Sequence, residues 1–191
     1  MTVQNAIQGY RFDNTSNIMT DDGNEVVGEN GLRGNINDIG NTTVSASAYG
    51  IYAVDQKNFK VDSLDLVGFQ SNSFIIGIYS SGTDSSEQTF SNNHSQFFTC
   101  GASVRGMTIY GLKKARIFNN ELNEIITTST TSATVIGILN SSSTDSVFIY
   151  NNKIYNLSAA GITTCYVNGF WLEASATNLV YNNMISDLRA G

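Results

Sequence analysis

Residues able to do acid–base, nucleophilic or metal chemistry are few in this chain and lie far apart. The only histidine, His94, sits in "SNNHSQF". An imidazole acts as a general base only with a partner in reach, and no nucleophile or carboxylate pattern surrounds it. It reads as a solvent-facing turn residue. "TDDGNE", Thr20 to Glu25, has the oxygen-rich make-up of a cation loop. It lacks the ligand spacing and distal bidentate Glu of a calcium loop, so it reads as an acidic turn. Lys113, Lys114 and Arg116 form the only basic cluster and read as decoration of a solvated strand or turn. No catalytic residue, metal site or cofactor is assigned from these patterns.

Composition narrows the partners. The chain has 191 residues, a formal charge of −6 and no proline, which suits one domain with a real core. Without a basic patch to meet phosphates, nucleic acid is not an expected partner. No apolar run reaches the length of a membrane span, so no membrane insertion is expected. The opening "TVQNAIQGYRF" has no signal-peptide character, and any export signal would lie outside this chain. Cys100 and Cys165 read as free thiols, which pack as small hydrophobes. Asn-x-Ser/Thr triplets at Asn14, Asn41, Asn93, Asn140 and Asn156 follow from an Asn- and Ser-rich composition.

The chain repeats itself. "FNNELNEI", "YNNKIYNL" and "YNNMISDL" are versions of one phrase. Taking Ile154 as reference, Leu66, Ser95, Leu122 and Ile185 are equivalent, at successive spacings of 29, 27, 32 and 31. Ile36 lies 30 residues before Leu66 and extends the series. Three residues after each reference stands an apolar residue: Ile39, Phe69, Phe98, Ile125, Leu157 and Leu188. Five before it stand Val61, Phe90, Ile117, Ile149 and Val180. A second phrase, centred on Gly50, Gly77, Gly106, Gly137 and Gly169, keeps the same beat with spacings of 27, 29, 31 and 32. Two phrases sharing a period near thirty residues mark a solenoid.

The repeating unit is built of strands. Runs are short, rich in β-branched and aromatic residues, and bounded by clusters such as "SSGTDSSE" and "NSSSTDS". No amphipathic helical stretch of a dozen residues interrupts them. The reading is three short strands per turn. On "GIY", "VFIYNNKIYNL" and their copies, the stretch from Gly31 to Gly191 resembles the right-handed parallel β-helix family, the superfold of pectate lyases and of Asn- and Ser-rich extracellular bacterial proteins. The resemblance implies an all-β fold of three parallel sheets with coils of 27–32 residues. The Gly-Ile-Tyr phrase would lie on the first sheet, "FIY" on the second and "KIYNL" on the third, with the Asn pair at the bend between the last two. Asn tolerates the left-handed backbone a tight bend needs. Stacked amides about 4.8 Å apart can then bond from coil to coil. The ladder residues are Asn92, Asn119, Asn151, Asn182 and Asn93, Asn120, Asn152, Asn183. Ser63 and Leu64 take these places one coil earlier, where the ladder should stop.

Residues 1–191 are expected to form a single β-helix domain. Residues 1–30 would be an irregular first coil and 31–191 the regular coils. The absence of a polar cap after Leu188 suggests a piece of a longer solenoid, with flanking coils of the same polypeptide as partners.

Function follows less directly, because fold does not choose it. The outward first-sheet columns are read as Ala48, Ile75, Val104, Val135, Val167 and as Tyr52, Tyr79, Thr108, Leu139, Trp171. Neither offers the carboxylate pair that glycosidic hydrolysis needs, and the Gly-His-Gly phrase of polygalacturonase-type relatives is missing. Glu121, one coil from His94, is placed for a weak surface pair. The remaining hint is the strip Tyr52, Tyr79, Leu139 and Trp171, which would stack sugar rings if exposed. The favoured alternative is that loops fold over it. The leading expectation is a non-catalytic structural or adhesive segment of a secreted or cell-surface repeat protein, with a polysaccharide or cell-surface glycan as candidate partner. The others are a polysaccharide lyase or glycoside hydrolase with catalytic coils elsewhere, and a phage tailspike or fibre segment.

Overall fold

Short runs of β-branched and aromatic residues between polar turns leave the chain nothing to form but strands, and a period near thirty stacks each strand on its own equivalent. The computed structural model describes residues 2–3, 8–13, 21–29, 32–41, 46–82, 87–141, 144–161, 163–173 and 177–191. Every strand pairing among them is parallel, in the three sheets of a right-handed β-helix and one two-stranded pairing, Asp21–Asp22 with Gln56–Lys57. The first sheet runs Gln8–Asp13, Ala48–Val54, Phe74–Ser81, Ser103–Tyr110, Ala133–Ser141, Cys165–Leu172. The second runs Glu25–Val27, Lys60–Asp62, Glu87–Ser91, Lys114–Phe118, Ser146–Tyr150, Thr177–Tyr181. The third includes Gly34–Asn37, Leu64–Val67, His94–Cys100, Glu121–Thr127, Lys153–Ala159 and Met184–Ala190.

The register follows the sequence columns residue for residue. Ile36, Leu66, Ser95, Leu122, Ile154 and Ile185 are direct partners on the third sheet. Val61, Phe90, Ile117, Ile149 and Val180 are partners on the second. The apolar side chains of these columns form one continuous core, within which Phe69 and Phe98 stack at 4.5 Å, except in the last coil, where Val180 and Ile185 are exposed. Each fully buried Ile, Leu or Phe contributes about 1.5–3 kcal/mol by removal from water.

Two described N-terminal segments join the sheets. Gln8–Asp13 extends the first sheet, with Gln8 and Tyr10 opposite Tyr49 and Ile51. "EVV" extends the second, with Val26 opposite Val61. The unequal spacing hid this coil, because a solenoid conserves strands and lets turns vary in length. Asn14 and Thr20 lie outside the described residues.

The bend between the second and third sheets gives the two asparagines of each pair different jobs. The first residue takes the left-handed conformation in the five coils from Ser63 onward: Ser63 (φ 57°), Asn92 (55°), Asn119 (56°), Asn151 (56°) and Asn182 (52°). The second Asn turns inward and makes the ladder. Asn93 donates to Asn120 at 3.0 Å, Asn120 to Asn152 at 3.0 Å and Asn152 to Asn183 at 2.9 Å, each from the side-chain amide to the next side-chain carbonyl. The backbone N–H of each donor residue bonds the same oxygen. Each amide also reaches back one coil, to the carbonyl oxygens of Val61, Phe90, Ile117 and Ile149. One buried side chain thus ties three coils. At the N-terminal end Leu64 has no amide to contribute, and its N–H takes the Asn93 oxygen at 3.1 Å.

The outer column is not a continuous ladder. Among the described residues only Asn119 and Asn92 are bonded side chain to side chain, at 3.2 Å. Asn92 and Ser91 then donate to Asp62. Burial raises the Asp62 carboxyl, but these hydrogen bonds and the Lys60 charge outweigh it and hold its pKa below the usual carboxylate value.

A second column of left-handed residues crosses the third sheet: Asp38, Gly68, Phe97, Glu124, Asn156 and Asp187. The pairing skips these positions, so Gln96 faces Asn123 and Phe98 faces Ile125. Phe97 is the misfit, a bulky exposed ring at φ 58°. A left-handed backbone costs ordinary L-residues about 1–2 kcal/mol, and Asn tolerates it. Phe97→Asn, which copies Asn156, is therefore expected to stabilise the fold by about 0.5–1 kcal/mol. An equilibrium urea titration reads this as a higher midpoint, and an unchanged or lower midpoint would mean that the ring's contacts outweigh the strain.

Candidate functional site

The outer face of the first sheet is set by the glycine in each strand. At Gly77 a side chain would meet the Phe98 ring at 2.9 Å and the Gly106 carbonyl oxygen at 2.5 Å, so this position faces the core. Ile78, the next residue, is buried in the core as well. Two successive inward positions break the alternation of a strand, and the pairing skips the glycine. Counting by twos back from Tyr79 therefore lands on the wrong face.

That phase slip corrects one sequence reading. Ala48, Ile75, Val104 and Val135 are fully buried core residues, with Val167 packed against them. They are not an outward column. The outward companion of the Tyr-Trp column is displaced by one residue: Tyr49, Ile76, Arg105, Ile136 and Asn168, paired in register. Arg105 was missed for this reason alone. The available signal was its place directly before a glycine.

The residues of the strip are register partners in the order Tyr52, Tyr79, Thr108, Leu139, Trp171. Their surroundings differ. Tyr52 and Tyr79 are half-buried and stacked at 5.1 Å, Tyr49 meets both edge-on, and the Arg11 guanidinium lies 5.2 Å above the Tyr52 ring. Leu139 is buried at 5 % exposure. Trp171 is 39 % exposed and stands edge-on to Tyr166, itself 53 % exposed, at 6.5 Å.

These two rings form one side of an open groove of about 320 Å³, with Ile136 and Leu139 as its apolar lining and Arg105 and Glu173 as its charges. Glu173 accepts a hydrogen bond from the Ser141 hydroxyl at 2.8 Å. Arg105 lies 4.9 Å over the Phe74 ring and, among the described residues, makes no hydrogen bond or ion pair. Its Nε is shielded from solvent without an acceptor, and so is Thr108 Oγ1 three residues along the strand. Burial pushes the Arg105 pKa down from its ordinary value, opposed by the nearby Glu173 charge. A half-buried guanidinium, two accessible rings and an apolar lining can hold a small polar ligand that has one flat apolar face.

The other candidates are structural. His94 is the first residue of a third-sheet strand and is half-buried, not a solvent-facing turn residue. Its Nε2 lies 3.0 Å from the Asn123 amide and its Nδ1 3.7 Å from Asp65. Glu121 is its strand partner but bonds the Tyr155 hydroxyl instead. Lys114 and Arg116 both pair with Glu87, at 3.2 and 2.9 Å, because their strands are register neighbours. Cys100 is buried and Cys165 half-buried, both free. No group of three or more His, Cys, Asp or Glu could hold a metal ion among the described residues.

Two features escaped the sequence reading. Phe118, Tyr150 and Tyr181 stack at 4.9 and 5.1 Å along the outside of the second sheet, directly before the last three Asn pairs. Asn24, Gln56 and Gln88 form a further chain of buried or half-buried amides beneath the first bend. No family model, curated protein or solved structure matches the chain, so what can be said of its family is its architecture: a parallel β-helix.

Proposed function

We propose that this chain is a non-catalytic structural or adhesive segment of a secreted or cell-surface repeat protein, and that its first-sheet face holds a glycan. The observation that carries this reading is the exposed Tyr166–Trp171 pair beside an open groove, on a face where Tyr52 and Tyr79 are already stacked on each other. Exposed aromatic rings stack on the apolar faces of sugars, and such patches mark binding surfaces. Holding is favoured over cleaving. Glu173 is the one carboxylate among the described residues that line the groove, and glycosidic hydrolysis takes a facing pair. The location outside the cell rests on the resemblance to extracellular Asn- and Ser-rich β-helices.

The test is an oligosaccharide array with the intact chain, followed by calorimetry on any positive. The expected result is binding to at least one glycan, weakened at least about tenfold in Trp171→Ala with thermal unfolding unchanged. A flat array for the parent chain would remove the adhesive reading and leave a structural segment.

A further inference from the structure

We infer that the groove selects glycans carrying an oxyanion on the sugar ring, a carboxylate or a sulfate ester, and that Arg105 is the selecting residue. This rests on the glycan reading above. Elsewhere on the surface Arg33 pairs with Asp65, Arg116 with Glu87 and Arg189 with Asp187. Arg105 has no such partner among the described residues, although it is half-buried and lines the groove. Taking a guanidinium partly out of water without an acceptor is costly, and a charged acceptor from a ligand recovers more than a neutral one. Its planar fork matches carboxylate and sulfate oxygens in paired hydrogen bonds.

The rest of the groove fixes how such a sugar would lie. Phe74 backs the guanidinium at 4.9 Å and limits its swing. Trp171 and Tyr166, two coils further on the same sheet, offer the ring platform. Glu173 would repel an anion, and its carboxylate is already turned to the Ser141 hydroxyl at 2.8 Å. The oxyanion therefore belongs at the Arg105 side and the sugar hydroxyls at the Glu173 side. The ligand is asymmetric and its orientation is fixed.

Calorimetric titration of the intact chain with neutral, uronate-containing and sulfated oligosaccharides of equal length tests this. At low salt at least one anionic series should bind about tenfold or more tightly than the neutral one, and added salt should shrink the difference. The series that binds identifies the oxyanion. Arg105→Gln should abolish the difference between anionic and neutral ligands, whereas Arg105→Lys, which keeps charge without the fork, should leave an intermediate difference. Matched thermal unfolding shows that both variants fold. Equal binding of neutral and anionic ligands by the parent, or an anionic preference that survives Arg105→Gln, overturns the role of Arg105 while the glycan reading stands. No binding in any series overturns both.

Discussion

An Asn152→Leu variant is expected to lose about 3–5 kcal/mol of stability, although the two side chains are nearly the same size. Asn152 is 1 % exposed and makes five hydrogen bonds with its side chain. Leucine would leave the buried Asn120 backbone N–H and Ile117 carbonyl without this partner and take one of two acceptors from the Asn120 amide, while the Asn183 oxygen keeps the backbone N–H of residue 152. Each stranded polar group costs about 1–3 kcal/mol, with partial relief where a neighbour can shift. The control is its neighbour. Asn151 has φ 56° and its side chain is exposed, so Asn151→Gly keeps what matters there and should change stability by only a few tenths of a kcal/mol. Urea titration followed by intrinsic fluorescence compares the two. Equal losses would mean that the pair acts as one turn motif, and that the inner amides do not carry the stability of the bend. Hydrogen exchange adds a spatial check. In the leucine variant protection should fall first at Asn120, whose N–H points at the lost Asn152 oxygen, and then at Asn93, whose N–H points at the Asn120 oxygen.

The repeat was legible because a solenoid writes each structural position as a column, and columns survive variation in turn length. Ile154 and its equivalents were found by spacing alone and are register partners. The Asn pair was legible as a bend for the same reason, since few residues besides Asn and Gly tolerate the left-handed backbone. The division of labour within the pair was not. Two adjacent asparagines look alike in a sequence, and only the bend turns one amide inward and the other to solvent. The N-terminal coil was hidden by its spacing: Val26 lies 35 residues before Val61, against 27–32 for later equivalents. The groove was hidden most deeply. Its lining comes from three successive coils, and Arg105 falls on the opposite face from the one that simple alternation assigns.

That misassignment leads to the second large effect. Gly106→Ala is expected to cost about 3 kcal/mol, near the upper end for overpacking a core. An added Cβ would lie 2.1 Å from Leu122 Cδ2 and 2.7 Å from the Gly137 carbonyl oxygen. The leucine tip can rotate, but the carbonyl cannot. It belongs to the backbone of the next coil, and the Gly137 position meets the Gly169 oxygen in its turn at 2.6 Å. In the glycine column the space for a Cβ is thus taken by the backbone of the next coil. The column also holds two successive residues inward and so turns Arg105 and Thr108 outward. Gly106→Ala should therefore do two things at once: lower the urea midpoint, and weaken whatever ligand the groove takes by displacing Arg105. Trimming the flexible obstacle with Leu122→Ala in the same chain separates the contacts. If the leucine clash dominates, the double variant will be far less destabilised than the sum of the single changes. If the Gly137 oxygen dominates, as its rigidity implies, the two losses will add to within about 0.5 kcal/mol. Near-additivity would establish that these glycines set the coil spacing and, through it, the face on which the groove is built.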